Sequence, residues 1–188
     1  MDIDIDFADW PTRLSGPAVS PAAGSAAALT AALGVGLLIK LARRSQPEDI
    51  PEHGYRLGRL LEAQDQFTLI AEDDASAIRD WLSTRGLKED DPRRQSAAEA
   101  LISVPLRAAE LCCSVRIVAE PFLRRGHAPT IADGRAGSRL IGTSQKIFCT
   151  LAEADLDTVV DPALVETIGE RLEKVKRYRP ETASCEGR

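Results

Sequence analysis

The chain has 188 residues and contains few aromatic side chains and only two histidines. Aromatic residues make up 4% of the sequence, whereas alanine and leucine dominate an apolar fraction of 44%. A β-sandwich core uses more aromatic and β-branched side chains than this composition offers. The composition therefore favours helices that pack through small side chains.

The sequence also lacks the cysteine and histidine spacing of a zinc site. None of its four cysteines forms a Cys-x-x-Cys pair, and the two histidines, His53 and His127, are far apart. We therefore expect no bound metal. Cys112 and Cys149 fall on or beside apolar helical faces, where cysteine serves as a small core residue. This usage fits a reducing cytoplasm.

A basic surface and a targeting segment are missing as well. The formal net charge of −5 argues against nonspecific nucleic-acid binding, which needs a basic face. The acidic start Met1–Asp6 has neither the cations nor the apolar core of a signal peptide. The longest apolar run, residues 26–41, is interrupted by Thr30 and Lys40, so we predict a buried core helix rather than a membrane span.

Helical periodicity covers most of the chain and predicts an all-α fold. We expect a single helical domain over 1–188, an up-and-down bundle of about five long helices with short connections. Residues 1–20 form a lead-in with a short helix from Phe7 to Leu14 interrupted by Pro11, and residues 180–188 form a disordered tail. The long helices are predicted at residues 22–45, 55–84, 93–125, 130–154 and 162–178.

The third long helix carries the clearest apolar stripe and an interior proline, Pro105. Its apolar residues alternate by three and four positions, as in a helix packed at a shallow angle in a bundle. A proline inside a helix costs about 3 kcal/mol, so the tertiary structure has to favour this position. The stripe consists of Ala97, Leu101, Val104, Ala108, Leu111, Val115, Val118 and Phe122.

Three ordered segments of this sequence resemble the cyclodeaminase/cyclohydrolase family. Residues 20–34 are similar to the family's Pro-Gly-Gly-Gly-Ser turn and its alanine-rich helix. Residues 70–78 look like a family helix with an aspartate, and residues 104–133 run from Val-Pro-Leu through Gly126 to Asp133. The family includes the C-terminal domain of formiminotransferase-cyclodeaminase and the methenyltetrahydrofolate cyclohydrolases.

The chain departs from the family pattern at several motif positions. Two of the turn glycines are Ala22 and Ala23, and alanine closes part of the space that glycine leaves open. His127 and Pro129 replace two loop asparagines. Ala132 replaces the family serine, and Arg135 stands where the family has a glycine.

The resemblance implies chemistry on the one-carbon bridge of a reduced folate or related pterin. In the family, a formimino-folate loses ammonia to form the methenyl compound, or a methenyl-folate adds water. Both reactions need a positioned group for proton transfer, and neither requires a metal or redox cofactor. The resemblance also implies a homodimer.

Two carboxylates and a histidine are the candidate catalytic residues. Asp133 follows a Gly/Pro loop at a predicted helix start, where it either acts on the substrate or completes a capping box with Thr130. Asp74 lies in an apolar stripe, where a carboxylate needs a partner. It serves either as a catalytic group or as half of a salt bridge between helices. His127 either takes over an asparagine's hydrogen-bonding role or is a solvated loop residue.

The candidate substrate-binding residues lie at two helix starts. Gly24 and Ser25 begin the alanine-rich helix, where free N–H groups bind an anion or are satisfied by Ser25 as an ordinary N-cap. Arg135 and Arg139 follow Asp133 and either hold a carboxylate tail or form a solvated face. We expect residues 24, 74 and 133 to project into one crevice.

Alternatives from other functional classes stay open at this point. The replaced motif residues are compatible with a noncatalytic dimeric relative that binds a folate, a pterin or a protein partner. A helical regulator without a ligand is a further alternative, because long apolar seams pack between subunits as well as within one.

Overall fold

The computed structural model describes residues 9–19 and 21–178. Over these residues the chain forms α-helices and short 3₁₀ turns, and no strand occurs among them. The prediction of an all-α bundle with about five long helices is confirmed, since α2–α6 are long and α1 is a short lead-in. The helices are α1 (Trp10–Ser15), α2 (Ala23–Arg44), α3 (His53–Ser83), α4 (Pro92–Arg125), α5 (Ile131–Ala154) and α6 (Pro162–Arg177).

The lead-in helix differs from its prediction. Pro11 lies in the first turn of α1 and begins the helix instead of interrupting it, because the first helical N–H needs no partner. Phe7, the acidic segment Met1–Asp6 and the tail predicted for 180–188 lie outside the described residues.

The helices α2 to α5 run alternately up and down. The ring of His53 at the start of α3 lies 2.9 Å from the carbonyl oxygen of Ala42 near the end of α2. Farther along α3, Asp73 pairs with Arg107 near the middle of α4 at 3.5 Å. α2 packs between α3 and α5, and α4 closes the bundle on the opposite side.

Proline and aspartate define the starts of α4 and α6. Pro92 follows Asp91, whose side chain accepts a hydrogen bond from the backbone N–H of Arg93 at 2.9 Å. Asp161 caps α6 in the same way through the N–H of Ala163. α4 continues through its interior prolines, and Pro105 is buried against the core.

The core of the bundle is formed by leucine, isoleucine and alanine around a few aromatic rings. Phe67, Phe122 and Phe148 are fully buried and come from α3, α4 and α5. Cys112 and Cys149 are buried as well, as predicted for small core residues.

The backbones of α2 and α5 come into direct contact at two glycines, Gly34 and Gly137. A Cβ added to Gly34 would lie 2.8 Å from the carbonyl oxygen of Gly137, and one added to Gly137 would overlap the carbonyl oxygen of Gly34. Real Cβ atoms do not approach backbone oxygens this closely. Glycine at both positions therefore sets the separation of the two helices.

α6 covers the outside of α4 and α5 with polar as well as apolar contacts. Ile168, Leu172 and Val175 are buried against the bundle. Arg171 donates two hydrogen bonds of 2.9 Å to the carboxylate of Glu110. These contacts fix α6 along the groove between the two longer helices.

α2 is long and apolar enough to span a membrane by length and composition. However, 56% of its most apolar window is buried inside the bundle, as expected for the core helix predicted from the sequence.

We expect Gly137→Ala to destabilise the fold by about 1–3 kcal/mol, the usual cost of overpacking, because the new methyl group collides with the backbone of Gly34. The free energy of unfolding in urea measures this cost. Gly169→Ala is the matched control, since nothing lies within 4 Å of a Cβ at that position. The control should gain about 0.5–1 kcal/mol, the usual benefit of alanine in a helix. Equal stabilities for the two variants would contradict the proposed role of the glycine contact.

Candidate functional site

The amino end of α2 and the middle of α3 bring Gly24, Ser25 and Asp74 together. The hydroxyl of Ser25 donates a 2.9 Å hydrogen bond to Oδ2 of Asp74 and lies 3.2 Å from the carbonyl oxygen of Ala71. Asp74 is only 8% exposed. The carboxylate of Asp74 therefore accepts hydrogen bonds from the hydroxyl and backbone N–H of Ser25. The alternative of a salt bridge to a neighbouring helix is not what these contacts show.

Gly24 allows the carboxylate to sit against the helix backbone. A Cβ at this position would overlap the carboxylate of Asp74, so only glycine fits without a shift. Ala22 and Ala23, which replace the family's other turn glycines, lie at the start of the helix, and Ala23 is exposed. Of the three turn glycines of the family, this chain therefore retains Gly24, the position at which a side chain would collide with the carboxylate of Asp74.

Burial perturbs the proton affinity of Asp74. Desolvation raises the pKa of Asp74, and hydrogen bonds from the hydroxyl and backbone N–H of Ser25 partly offset the shift. The carboxyl group therefore keeps its proton to a higher pH than an ordinary aspartate. A general acid has this property.

Asp74 also takes the place of an N-cap for α2. Ala22 precedes the helix with an extended backbone and has no side chain that caps it. Ser25 was considered as the cap, but it lies inside the first turn and bonds to Asp74 instead. The carboxylate from α3 thus faces the amino end of α2, where the helix dipole favours a negative charge.

Asp133 lies in the first turn of α5 and pairs with Lys40 of α2. The Nζ of Lys40 donates to Oδ2 of Asp133 at 2.6 Å, and both side chains are half-exposed. Thr130 makes no capping hydrogen bond at this helix start, so the capping-box alternative is wrong. Asp133 is instead one member of an accessible ion pair.

His127 is half-buried in the connection between α4 and α5. Its backbone N–H donates to the hydroxyl of Ser45 at 3.0 Å, and its ring Nδ1 lies 3.2 Å from the hydroxyl oxygen of Thr130. The residue therefore connects the two loops at this end of the bundle. This environment differs from that of a freely solvated loop histidine.

The expectation of one crevice containing residues 24, 74 and 133 is wrong within a single chain. Ser25 and Lys40 lie on the same helix, about 22 Å apart at 1.5 Å per residue. Because Asp133 pairs with Lys40 and Asp74 with Ser25, the two carboxylates lie in different halves of the bundle. Arg135 and Arg139 are exposed on α5 and lie in the half that contains Asp133.

The sequence analysis did not single out two cationic side chains that connect neighbouring helices, Lys40 and Arg116. Lys40 was noted only as an interruption of an apolar run, although a single lysine in such a run is itself a signal. Arg116 of α4 donates to Gln145 of α5 at 2.8 Å and packs on the ring of Tyr178 at the end of α6. Its position one helical turn after buried Cys112 was the available signal.

The described cysteines do not offer a nucleophile at neutral pH. Burial raises the pKa of Cys112 and of Cys149, and it raises the pKa of Cys113 to about 11. All three thiols therefore stay protonated in this pH range. Over residues 9–19 and 21–178, no group of three or more histidine, cysteine or acidic side chains is arranged to hold a metal ion.

Comparisons with known proteins decide the family. The family model for formiminotransferase-cyclodeaminase matches residues 7–174 of this chain. The chain belongs to the formiminotransferase-cyclodeaminase family. A comparison with curated protein sequences gives no significant match.

The fold of the family is also seen in a solved structure. The crystal structure of formiminotetrahydrofolate cyclodeaminase from Thermotoga maritima matches with a TM-score of 0.86 at 15% sequence identity. The match covers 92% of this chain and 89% of that chain. This likeness confirms the helical fold of this family member.

Asp74→Asn should make the fold more stable than the wild type at neutral pH, with a smaller difference near pH 4. The raised pKa means that the native state binds the proton more tightly than the unfolded state. The stability associated with Asp74 therefore falls as the pH rises from the ordinary carboxyl pKa to the raised one. Urea unfolding at the two pH values measures the difference.

A matched control is Asp73→Asn, which removes the exposed neighbouring carboxylate. It reports the effect of losing one negative charge from α3 together with the exposed ion pair to Arg107, which contributes little to stability. A pH-independent difference between wild type and Asp74→Asn would contradict the assigned cause.

Proposed function

We propose that this protein is an enzyme of one-carbon metabolism that opens or closes the one-carbon bridge of a reduced folate. The observation that carries the proposal is the buried Asp74 at the amino end of α2, in a chain matched by the family model over residues 7–174. The reaction is that of a methenyltetrahydrofolate cyclohydrolase or a formimidoyltetrahydrofolate cyclodeaminase. No resident cofactor takes part, and the tetrahydrofolate derivative is the substrate.

Asp74 supplies the proton transfer in this proposal. In the deaminase direction, the bridging amine nitrogen N10 attacks the formimino carbon and loses its proton, and the formimino nitrogen takes a proton and departs as ammonia. In the hydrolase direction, water adds to the amidinium carbon and gives up a proton before the carbon–nitrogen bond breaks. A carboxyl group with a raised pKa serves either step, because it donates and accepts protons nearer neutral pH.

Ser25 and Gly24 position this group. The hydroxyl of Ser25 holds one carboxylate oxygen, and the missing side chain at Gly24 leaves the other oxygen against the helix start. The first turn of α2 also has N–H groups without helical partners, which favour a negatively charged substrate group. Ser25 and Gly24 are thus assigned to substrate and carboxylate positioning.

The second group of proposed site residues is the accessible ion pair of Asp133 and Lys40 at the carboxyl end of α2, together with His127 at the same end of the bundle. Lys40 offers a cation to the acidic tail of a folate, and Asp133 orients it or exchanges a proton with the substrate. Arg135 and Arg139 are proposed to assist with the tail. The protein is further proposed to be a cytoplasmic homodimer.

A noncatalytic relative that binds a folate or a protein partner is the second candidate. The observation that favours it is the replacement of the family's glycines by Ala22 and Ala23 and of its asparagines by His127 and Pro129. Such a protein retains the bundle and the ligand surface without turnover.

Purified protein should accelerate the loss of the absorbance band of 5,10-methenyl-tetrahydrofolate, or form that band from the formimino compound. Asp74→Asn should lower kcat by about 10²–10⁴-fold, the usual contribution of a general acid or base. Asp73→Asn, the exposed neighbour, should retain the wild-type rate.

Absence of turnover with both substrates would contradict the enzyme proposal. Calorimetry with the same folates then separates the alternatives. Binding without turnover supports the noncatalytic relative, and no binding supports a purely protein-interacting role.

A further inference from the structure

The groove between α4 and α5 is covered by α6 along only part of its length. α6 ends at Arg177, and the centre of the ring of the next residue, Tyr178, lies 5.4 Å from the guanidinium carbon of Arg116 on α4. α4 continues past this point to Arg125, which adds about 14 Å of helix at 1.5 Å per residue. α5 runs antiparallel to α4 and borders the same stretch, since its Gln145 contacts Arg116 and a short connection joins the two helices after Arg125. α6 therefore leaves the last part of the groove open.

The charge of the groove walls changes sign where α6 ends. Along the covered part, Glu110 of α4 pairs with Arg171 of α6 at 2.9 Å, and Glu153 of α5 pairs with Lys176 of α6. Beyond α6 the charged side chains of the walls are cations, apart from one carboxylate. We call this open stretch the basic groove, and its charged residues are Arg116, Glu120, Arg124, Arg135 and Arg139. The acidic part of the walls is covered by a basic segment of α6, so complementarity predicts an acidic segment over the basic groove.

Two arginines of α5 face the basic groove. Arg135, Arg139 and Gly142 share one side of α5 at spacings of four and three residues. A Cβ added to Gly142 would lie 3.6 Å from the guanidinium carbon of Arg116, so this side of α5 faces α4. Both arginines are exposed. They therefore add positive potential along the basic groove.

Arg116 is a half-buried cation that has no carboxylate partner within residues 9–19 and 21–178. Its Nη1 donates to the side-chain oxygen of Gln145 at 2.8 Å, whereas its buried Nε–H has no partner there. The carboxylate one turn away on α4, Glu120, pairs with Arg124 at 2.7 Å. Folding has thus removed much of the Arg116 guanidinium from water without supplying a negative charge. A carboxylate that binds here gains a charge-assisted hydrogen bond with little further desolvation of the arginine.

We propose that the basic groove binds an acidic peptide segment of a partner protein, which lies along α4 in an extended conformation. Arg116 and Arg124 are about 12 Å apart along the axis of α4. Four residues of an extended chain span about 13 Å, so two carboxylates at that spacing reach both arginines. A compact anion such as phosphate reaches only one of them. The row of cations is therefore matched by carboxylates that are spread along a chain.

Binding is measured by nuclear magnetic resonance with the full chain and a synthetic peptide. The probe is the acetylated and amidated heptapeptide Gly-Glu-Ser-Thr-Ser-Glu-Gly, in which the two glutamates are four positions apart. It should bind with saturation and shift the amide signal of Gly142 and the Nε–H signal of Arg116, and added salt should weaken it. The peptide Gly-Ser-Glu-Glu-Thr-Ser-Gly, of the same composition, should bind about tenfold more weakly because it reaches one arginine. Absence of binding, equal binding of the two peptides, or shifts confined to other surfaces would overturn the proposal.

Two variants of α4 should change the affinity for the probe in opposite directions. Arg116→Gln should weaken binding by about tenfold, since it removes one charge-assisted contact. Glu120→Gln should strengthen binding, because it removes the carboxylate that competes for Arg124, and a damaged fold does not produce such a gain. Arg79→Gln and Glu72→Gln are the matched controls, since both residues are exposed on α3, which does not border the groove. Unchanged affinity of Arg116→Gln, or weaker binding by Glu120→Gln, would contradict the proposal.

A further variant separates a partner protein from this chain as the source of the acidic segment. Residues 179–188 contain two glutamates, Glu181 and Glu186. The double variant Glu181→Gln/Glu186→Gln should bind the probe as the wild type does. A gain in affinity of about tenfold would identify these residues as the occupant of the basic groove and would overturn the proposal of a partner. None of these measurements uses turnover, so failure of peptide binding leaves the proposed function intact, and an inactive enzyme leaves the basic groove testable.

Discussion

The close contact between the backbones of α2 and α5 at Gly34 and Gly137 determines where the candidate site residues of this chain lie. Because no side chain separates the helices at this point, Lys40 on α2 reaches Asp133 on α5. α3 packs on the other side of α2, and its register places Asp74 against Ser25. A wider separation of α2 and α5 would break the ion pair and expose the apolar side of α2.

The same packing lowers the stability that Asp74 contributes at neutral pH, because burial disfavours its charged form. The carboxylate is nearly removed from water, and within residues 9–19 and 21–178 its partners are the hydroxyl and backbone N–H of Ser25 at the helix start. A charged group in this position lowers the stability of the fold at neutral pH, whereas a protonated one does not. Structures commonly tolerate such groups where proton transfer depends on a perturbed pKa.

Steric contact explains which glycine of the family's Pro-Gly-Gly-Gly-Ser turn is kept in this chain. Gly24 is retained where a Cβ would overlap the Asp74 carboxylate, while Ala22 and Ala23 occupy positions that accept a methyl group at the start of the helix. The altered glycines therefore do not displace the buried carboxylate. Their effect is limited to the space at the helix start.

Sequence periodicity by itself determined the number of long helices and their bounds to within about two residues. Of the apolar stripe predicted on α4, Ala97, Val104, Ala108, Val115 and Phe122 are buried, whereas Leu101, Leu111 and Val118 are half-buried. The resemblance led to the expectation that Gly24 and Asp74 lie close together, and the structure places both against Ser25. Only the tertiary structure decided that Asp133 pairs with Lys40 in the other half of the bundle, since helix register and direction depend on contacts between distant segments. The physical reason is that a sequence pattern specifies which side of a helix is buried, whereas the identity of the helix that packs against that side depends on contacts between segments far apart in the sequence.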